Sequence, residues 1–94
     1  MLDAYIYDGT RTPFGRNAGS LSKVRPDDLL AGAIKAVVKR SAFKPTDIED
    51  VNVGCANQAG EDSRCLGRHA ALLAGLPIEV AGNTIQRNCG SGMN

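Results

Sequence analysis

A chain of 94 residues with 43% hydrophobic side chains has room for one modest core, and its 11 lysines and arginines nearly balance its 10 acids, for a formal net charge of +1. That balance contains no run of like charge, which argues against a nucleic-acid or membrane-surface partner. The opening "MLDAYIYDGTRTPFG" has neither a basic leader nor an apolar stretch long enough to span a bilayer, so a soluble cytoplasmic protein is expected.

The first predicted element is a strand in "DAYIYDG", where Ala4 and Ile6 alternate with Tyr5 and Tyr7 before an Asp8-Gly9 turn. "TRTPFGRNAGSLSKV" is rich in Gly, Ser, Pro and Arg and reads as a loop, with Arg11 as a loop anchor. Pro26 suits a first helical position, and Asp27 and Asp28 complement the positive end of a helix dipole. Leu30, Ile34, Val37 and Val38 recur at helical spacing, and Lys39 and Arg40 suit a last turn, so an amphipathic helix is predicted to about Ser41.

Thr46 and Glu49 in "PTDIED" have capping-box spacing and predict a short helical turn ahead of a central strand, "DVNVGCA". In "GEDSRCLGRHAALLAGLP", Leu66, Ala70 and Leu73 share one helical face, with Arg64 and Arg68 opposite. Gly75, Leu76 and Pro77 form a stop signal: a left-handed residue, an apolar contact back onto the last turn, and a residue that cannot continue the helix. "IEVAGNTIQRN" reads as a strand broken near Gly82, and "CGSGMN" as the start of a further helix. Strands alternating with helices require crossover connections and predict a layered α/β fold.

The chemistry concentrates at the last strand end. Cys55, Cys65 and Cys89 are odd in number and contain no CxxC pair, which disfavours a disulfide framework or a closed zinc site. Cys55 and Cys65 read as structural. Cys89 stands between an apolar strand and Gly-Ser-Gly, the address of a nucleophile on a strand-to-helix turn, although a small buried side chain would fit there too. An unperturbed thiol with a pKa of about 8.5 is only about 3% ionised at pH 7, and lowering that value to about 7 requires about 2 kcal/mol. A helix N-terminus supplies about 0.3–1 kcal/mol, so a base is also needed.

Rival readings are weaker. Ser91 fails as the serine of G-x-S-x-G, because Cys89 stands two residues before it, and no Gly-Lys-Ser/Thr follows to make a phosphate loop. His69 lies beside Leu66 and Leu73 on the predicted helix and reads as a half-buried packing residue. With Cys65 it makes an i, i+4 pair that lacks a third metal ligand.

Four stretches, "DGTRTPFGR", "GCANQAGEDSR", "AALLAGLP" and "NCGSGMN", occur in the order and spacing of the thiolase family, and the resemblance extends over essentially the whole chain. "GCANQAGED" resembles in particular the thiolases that act on 3-oxoadipyl-coenzyme A in aromatic-compound breakdown. The resemblance implies an α-β-α-β-α layered fold, of which residues 1–94 form the first part of the N-terminal domain, ending at the nucleophile elbow. It implies an acyltransferase that cleaves a 3-oxoacyl-coenzyme A with free coenzyme A, or runs the reverse condensation.

Through the CGSG motif the resemblance implies that Cys89 is the acylated cysteine and that its backbone amide helps bind the thioester oxyanion. The resemblance also implies that the Gln58–Asp62 loop lies near the active site and a subunit contact, that coenzyme A is a substrate, and that the complete chain assembles as a dimer or tetramer; it implies no metal or prosthetic group. The family's Gly-His-Pro histidine, its Cys-x-Gly-Gly-Gly second cysteine and its coenzyme A loop are absent from these 94 residues, so this portion alone is expected to be inactive.

Cys65, Gly67 and Asn88 depart from the family's usual asparagine, alanine and apolar residue. Two other readings remain open at this level. One is a related condensing enzyme of the 3-oxoacyl synthase or hydroxymethylglutaryl-coenzyme A synthase type, the other a non-catalytic thiol-bearing binding module.

Overall fold

The computed structural model describes residues 3–62 and 65–94. Four regular elements follow in chain order: α1 (Pro26–Arg40), β1 (Asp50–Gly54), α2 (Leu66–Leu73) and β2 (Ala81–Ile85). Single 3-10 turns lie at Pro45–Asp47, Gly60–Asp62 and Ser91–Met93. β1 and β2 pair in parallel, from Asp50 opposite Ala81 to Gly54 opposite Ile85. α2 makes the crossover that parallel pairing demands. The α/β reading therefore holds.

Helix α1 begins at Pro26 and ends on the basic pair Lys39 and Arg40, as its sequence predicts. Asp27 does more than complement the dipole. It is buried and accepts from the Arg25 guanidinium at 3.1 and 3.2 Å while also accepting from the Asp28 amide at 2.9 Å. Ile34 and Val38 pack on a small core of Ala71, Leu76 and Val80, joined from the other side by Ile48 and Val51.

The end of α2 realises its stop signal. The Leu76 amide bonds the Ala71 carbonyl and the Gly75 amide bonds that of Leu72, both at 3.1 Å, with Gly75 at φ +83°. The buried face, however, is Leu66, Gly67, Ala70 and Ala71, and Leu73 is exposed. The reason is the distance between layers: the smallest residues turn to the sheet so that helix and strand backbones can touch. A side-chain carbon at Gly67 would collide with the Asn83 carbonyl, and one at Gly82 would come within 2.8 Å of the Arg68 Cα.

Gly82 consequently sits inside a continuous strand, paired with Val51, where the sequence suggests a break. Arg68 does not face solvent alone. Its guanidinium donates to the carbonyls of Val80 at 2.6 Å and Ile78 at 3.1 Å, closing the turn that leads into β2. Arg64 lies outside the described residues.

Two further expectations are corrected. Residues 3–9 form no strand, and Tyr5, Ile6 and Tyr7 are 76%, 96% and 78% exposed. An alternating pattern is stabilised by a neighbouring strand and a covering layer, and among the described residues nothing supplies either. What holds this segment is its end: Arg40 binds Asp8 through two nitrogens at 2.9 and 3.1 Å and the Gly9 carbonyl at 2.9 Å, and Tyr7 meets Phe43 edge to face at 5.0 Å. Ahead of β1, the acid that reaches back is Asp47, which accepts from the Lys44 amide at 3.0 Å, two residues earlier than the Thr46–Glu49 spacing suggests. Arg11 is a local anchor as read, donating to the Thr12 carbonyl at 3.2 Å and lying over the Phe14 ring.

Candidate active site

The chain leaves β2 at Ile85, whose carbonyl accepts from the Cys55 amide at 3.0 Å and so carries the strand pairing one step beyond Gly54. Residues 86–91 then fold into a tight turn. Asn88 takes φ +50°, a left-handed conformation that asparagine tolerates better than most residues. Its amide donates to Gln86 Oε1 at 2.6 Å. The Gly90 amide returns to the Arg87 carbonyl at 3.1 Å, and the Ser91 amide to that of Asn88 at 3.3 Å.

Within this turn Ser91 is buried and Cys89 is exposed. The Ser91 hydroxyl accepts from the Arg87 amide and donates to the Asn88 carbonyl, both at 2.7 Å. The sheet closes in from beneath: a side-chain carbon on Gly54 would lie 2.7 Å from the Gly92 nitrogen and 2.8 Å from the Ser91 Cβ. A 3-10 turn of Ser91–Met93 follows. The arrangement presents one thiol to solvent on a backbone held from inside.

The other residues singled out in the sequence lie elsewhere. Cys55 is half-buried, directly after β1. Cys65 caps the start of α2, half-buried, with its thiol 3.9 Å from the Gly82 carbonyl. His69 lies on the exposed side of α2, not half-buried, because the helix turns its glycine and alanines inward. Among the described residues no group of three His, Cys, Asp or Glu side chains is placed to share a metal ion.

The Gln58–Asp62 loop carries Gln58 at φ +50°, and Glu61 lies 3.7 Å from Arg25, so the loop is tied to the entry of α1. A concavity of about 410 Å3 is lined by Tyr7, Asp8, Val37, Val38, Arg40 and Phe43 and takes nothing from the Cys89 turn. Two supporting residues escaped the sequence reading. Ser91 was weighed as a rival nucleophile rather than a brace, and Thr84, whose hydroxyl accepts from the Gly67 amide at 3.2 Å, gives no signal in the sequence because its partner is 17 residues away.

Residues 4–94 match the model of the thiolase N-terminal domain. The chain belongs to the thiolase family. It is 54% identical over 95 aligned residues to the beta-ketoadipyl-CoA thiolase of Acinetobacter baylyi and 53% identical to the 3-oxoadipyl-CoA/3-oxo-5,6-dehydrosuberyl-CoA thiolase of Escherichia coli K12. Each alignment takes in all of this chain and 24% of the relative.

Among solved structures, the acetyl-CoA acetyltransferase of Bacillus anthracis superimposes with a TM-score of 0.80 at 38% identity, over 88% of this chain and 21% of that one. The chain thus spans about a quarter of the length of the curated relatives it matches. The fold described above is that of a piece of the thiolase domain. Among the described residues no helix is long and apolar enough to cross a membrane.

Proposed function

We propose that the protein to which these residues belong is a cytoplasmic, homo-oligomeric thiolase acting on 3-oxoacyl-coenzyme A, with 3-oxoadipyl-coenzyme A as the favoured substrate, and that Cys89 is its acylated nucleophile. The observation that carries this reading is an exposed thiol on a turn whose backbone is fixed by the buried Ser91 hydroxyl. The substrate reading is supported by two relatives more than half identical across the chain, a beta-ketoadipyl-CoA thiolase and a 3-oxoadipyl-CoA/3-oxo-5,6-dehydrosuberyl-CoA thiolase.

The Cys89 thiolate attacks the 3-carbonyl carbon, the C2–C3 bond breaks, and the electron pair left on C2 takes a proton to release acetyl-coenzyme A. The acyl group remains on Sγ as a thioester. The sulfur of free coenzyme A then attacks that thioester, gives up its proton, and releases the shortened acyl-coenzyme A while Sγ leaves as thiolate. Coenzyme A is a substrate throughout, and neither a metal nor a prosthetic group takes part.

The base that generates the thiolate and the acid that protonates C2 are the histidine and second cysteine implied by the family resemblance, and neither motif occurs in these 94 residues. In the complete protein, Cys89→Ala is expected to reduce thiolysis of 3-oxoadipyl-coenzyme A to background, and brief exposure to substrate without free coenzyme A should add one acyl group to the peptide carrying Cys89. Thiolysis at the parental rate by Cys89→Ala would overturn the assignment.

A further inference from the structure

Cys89 sits in the middle of a five-residue turn, Arg87 to Ser91, whose ends are joined by one hydroxyl. We infer that Ser91 is a positioning residue for Cys89, holding the thiol by bracing the turn across its base. This rests on the reading of Cys89 as the nucleophile.

The Ser91 side chain is 5% exposed and uses its hydroxyl in both directions, accepting from the Arg87 amide and donating to the Asn88 carbonyl at 2.7 Å each. Both partners lie on the N-terminal side of Cys89, so the brace spans the cysteine without touching its sulfur. Asn88 is held at both ends of its peptide unit, its amide by Gln86 at 2.6 Å and its carbonyl by Ser91, in a conformation with φ +50° that ordinary chains rarely populate. The strand end fixes the brace in turn, since Gly54 leaves no space between β1 and Ser91. The Gly90 and Ser91 amides already bond back to the Arg87 and Asn88 carbonyls, and the Ser91 hydroxyl, with its contact to the strand end, adds a second set of constraints across Cys89.

Removing the hydroxyl leaves the Arg87 amide and the Asn88 carbonyl without this partner, and the turn can then relax. A nucleophile displaced by about 1 Å from its attack position loses up to about a hundredfold in rate. Ground-state binding of coenzyme A substrates depends on residues elsewhere, so the loss should fall on kcat.

The test uses the full-length gene product in parental, Cys89→Ala, Ser91→Ala and Ser91→Thr forms. It measures thiolysis of 3-oxoadipyl-coenzyme A, the rate at which iodoacetamide alkylates the Cys89 peptide at one fixed pH, and the thermal midpoint. Ser91→Ala is expected to lower kcat about tenfold or more with KM within twofold, to change the alkylation rate by a similar factor, and to unfold cooperatively. Ser91→Thr, which keeps the hydroxyl, should recover most of that loss.

A Ser91→Ala enzyme with kcat and alkylation rate within twofold of the parent overturns the inference. So does equal loss in Ser91→Ala and Ser91→Thr. Should Ser91→Ala fail to fold, Gly54→Ala decides, because it keeps the hydroxyl but pushes on Ser91 from the strand: a fall in kcat at constant KM is expected, and unchanged kcat overturns the inference. If Cys89→Ala remains active, the nucleophile assignment fails, and if it is inactive while Ser91→Ala is unimpaired, only the role of Ser91 fails.

Discussion

A single methyl group at residue 67 would lie in the space occupied by the Asn83 carbonyl. On helix propensity alone, alanine at this first-turn position should stabilise α2 by up to about 1 kcal/mol relative to glycine. The contact reverses that expectation, because pushing two packed backbones apart carries an overpacking cost of about 1–3 kcal/mol. Gly67→Ala in the complete protein is therefore expected to leave stability unimproved or lower it by up to about 2 kcal/mol, read from the urea midpoint. An increase of about 1 kcal/mol would show that helix and strand separate freely.

Arg68 belongs to the same contact. Arg68→Ala removes two charge-assisted bonds to the carbonyls of Val80 and Ile78 and should lower the thermal midpoint, with Arg68→Lys recovering only part because an ammonium cannot span both acceptors as a guanidinium fork does. Cys89 itself was legible, because its type and its Gly-Ser-Gly context are local facts. The part played by Ser91 was not, since spacing motifs ask what a serine can attack and never what it can brace.

At the scale of elements, α1 was legible nearly to the residue because its signals are local: proline at the first position, acids behind it, apolar spacing, bases at the end. Its entry also yields a pH prediction. The hydrogen bonds from Arg25 hold the Asp27 carboxyl below the ordinary carboxylate range, with the Asp28 amide and the Arg25 charge adding to the effect. A carboxylate whose folded pKa is depressed contributes stability that is present above its unfolded pKa and lost as the pH falls through the folded value.

Asp27→Asn is thus expected to lower the thermal midpoint at pH 7 and to flatten its decline on acidification below about pH 4. Parallel pH profiles for the parent and the variant would refute a role for the Arg25–Asp27 pair in acid stability. The face of α2 was read less well. Helical spacing marked Leu66, Ala70 and Leu73 as a stripe, but the sheet selects for closeness and turns Gly67 and Ala71 inward while Leu73 stays outside.

For the whole molecule the decisive quantity is surface. A folded monomer of 9.9 kDa should expose about 5,200 Å2, and these residues expose 7286 Å2. Large apolar side chains contribute to the excess: Ile6, Phe14 and Met93 are each more than nine-tenths exposed, and Ile78 nearly three-quarters. A two-stranded sheet is also marginal by itself. Produced as an isolated polypeptide, residues 1–94 are therefore expected to bind a hydrophobic dye strongly and to melt without a sharp transition, in contrast to the complete protein. A cooperative transition with weak dye binding would show instead that the small core suffices.

The sequence by itself determined the α/β class, the limits of α1, the stop after α2, the family and the residue to examine first, because each rests on neighbours within one or two helical turns or on motifs in register. Tertiary structure alone decided which face of α2 meets the sheet, why Gly67 and Gly82 are glycines, that residues 3–9 lack a strand partner among the described residues, and that Ser91 braces the turn of Cys89. Those outcomes depend on contacts between residues distant in the chain or on side-chain hydrogen bonds across a folded turn, and neither periodicity nor composition encodes the separation between two backbones.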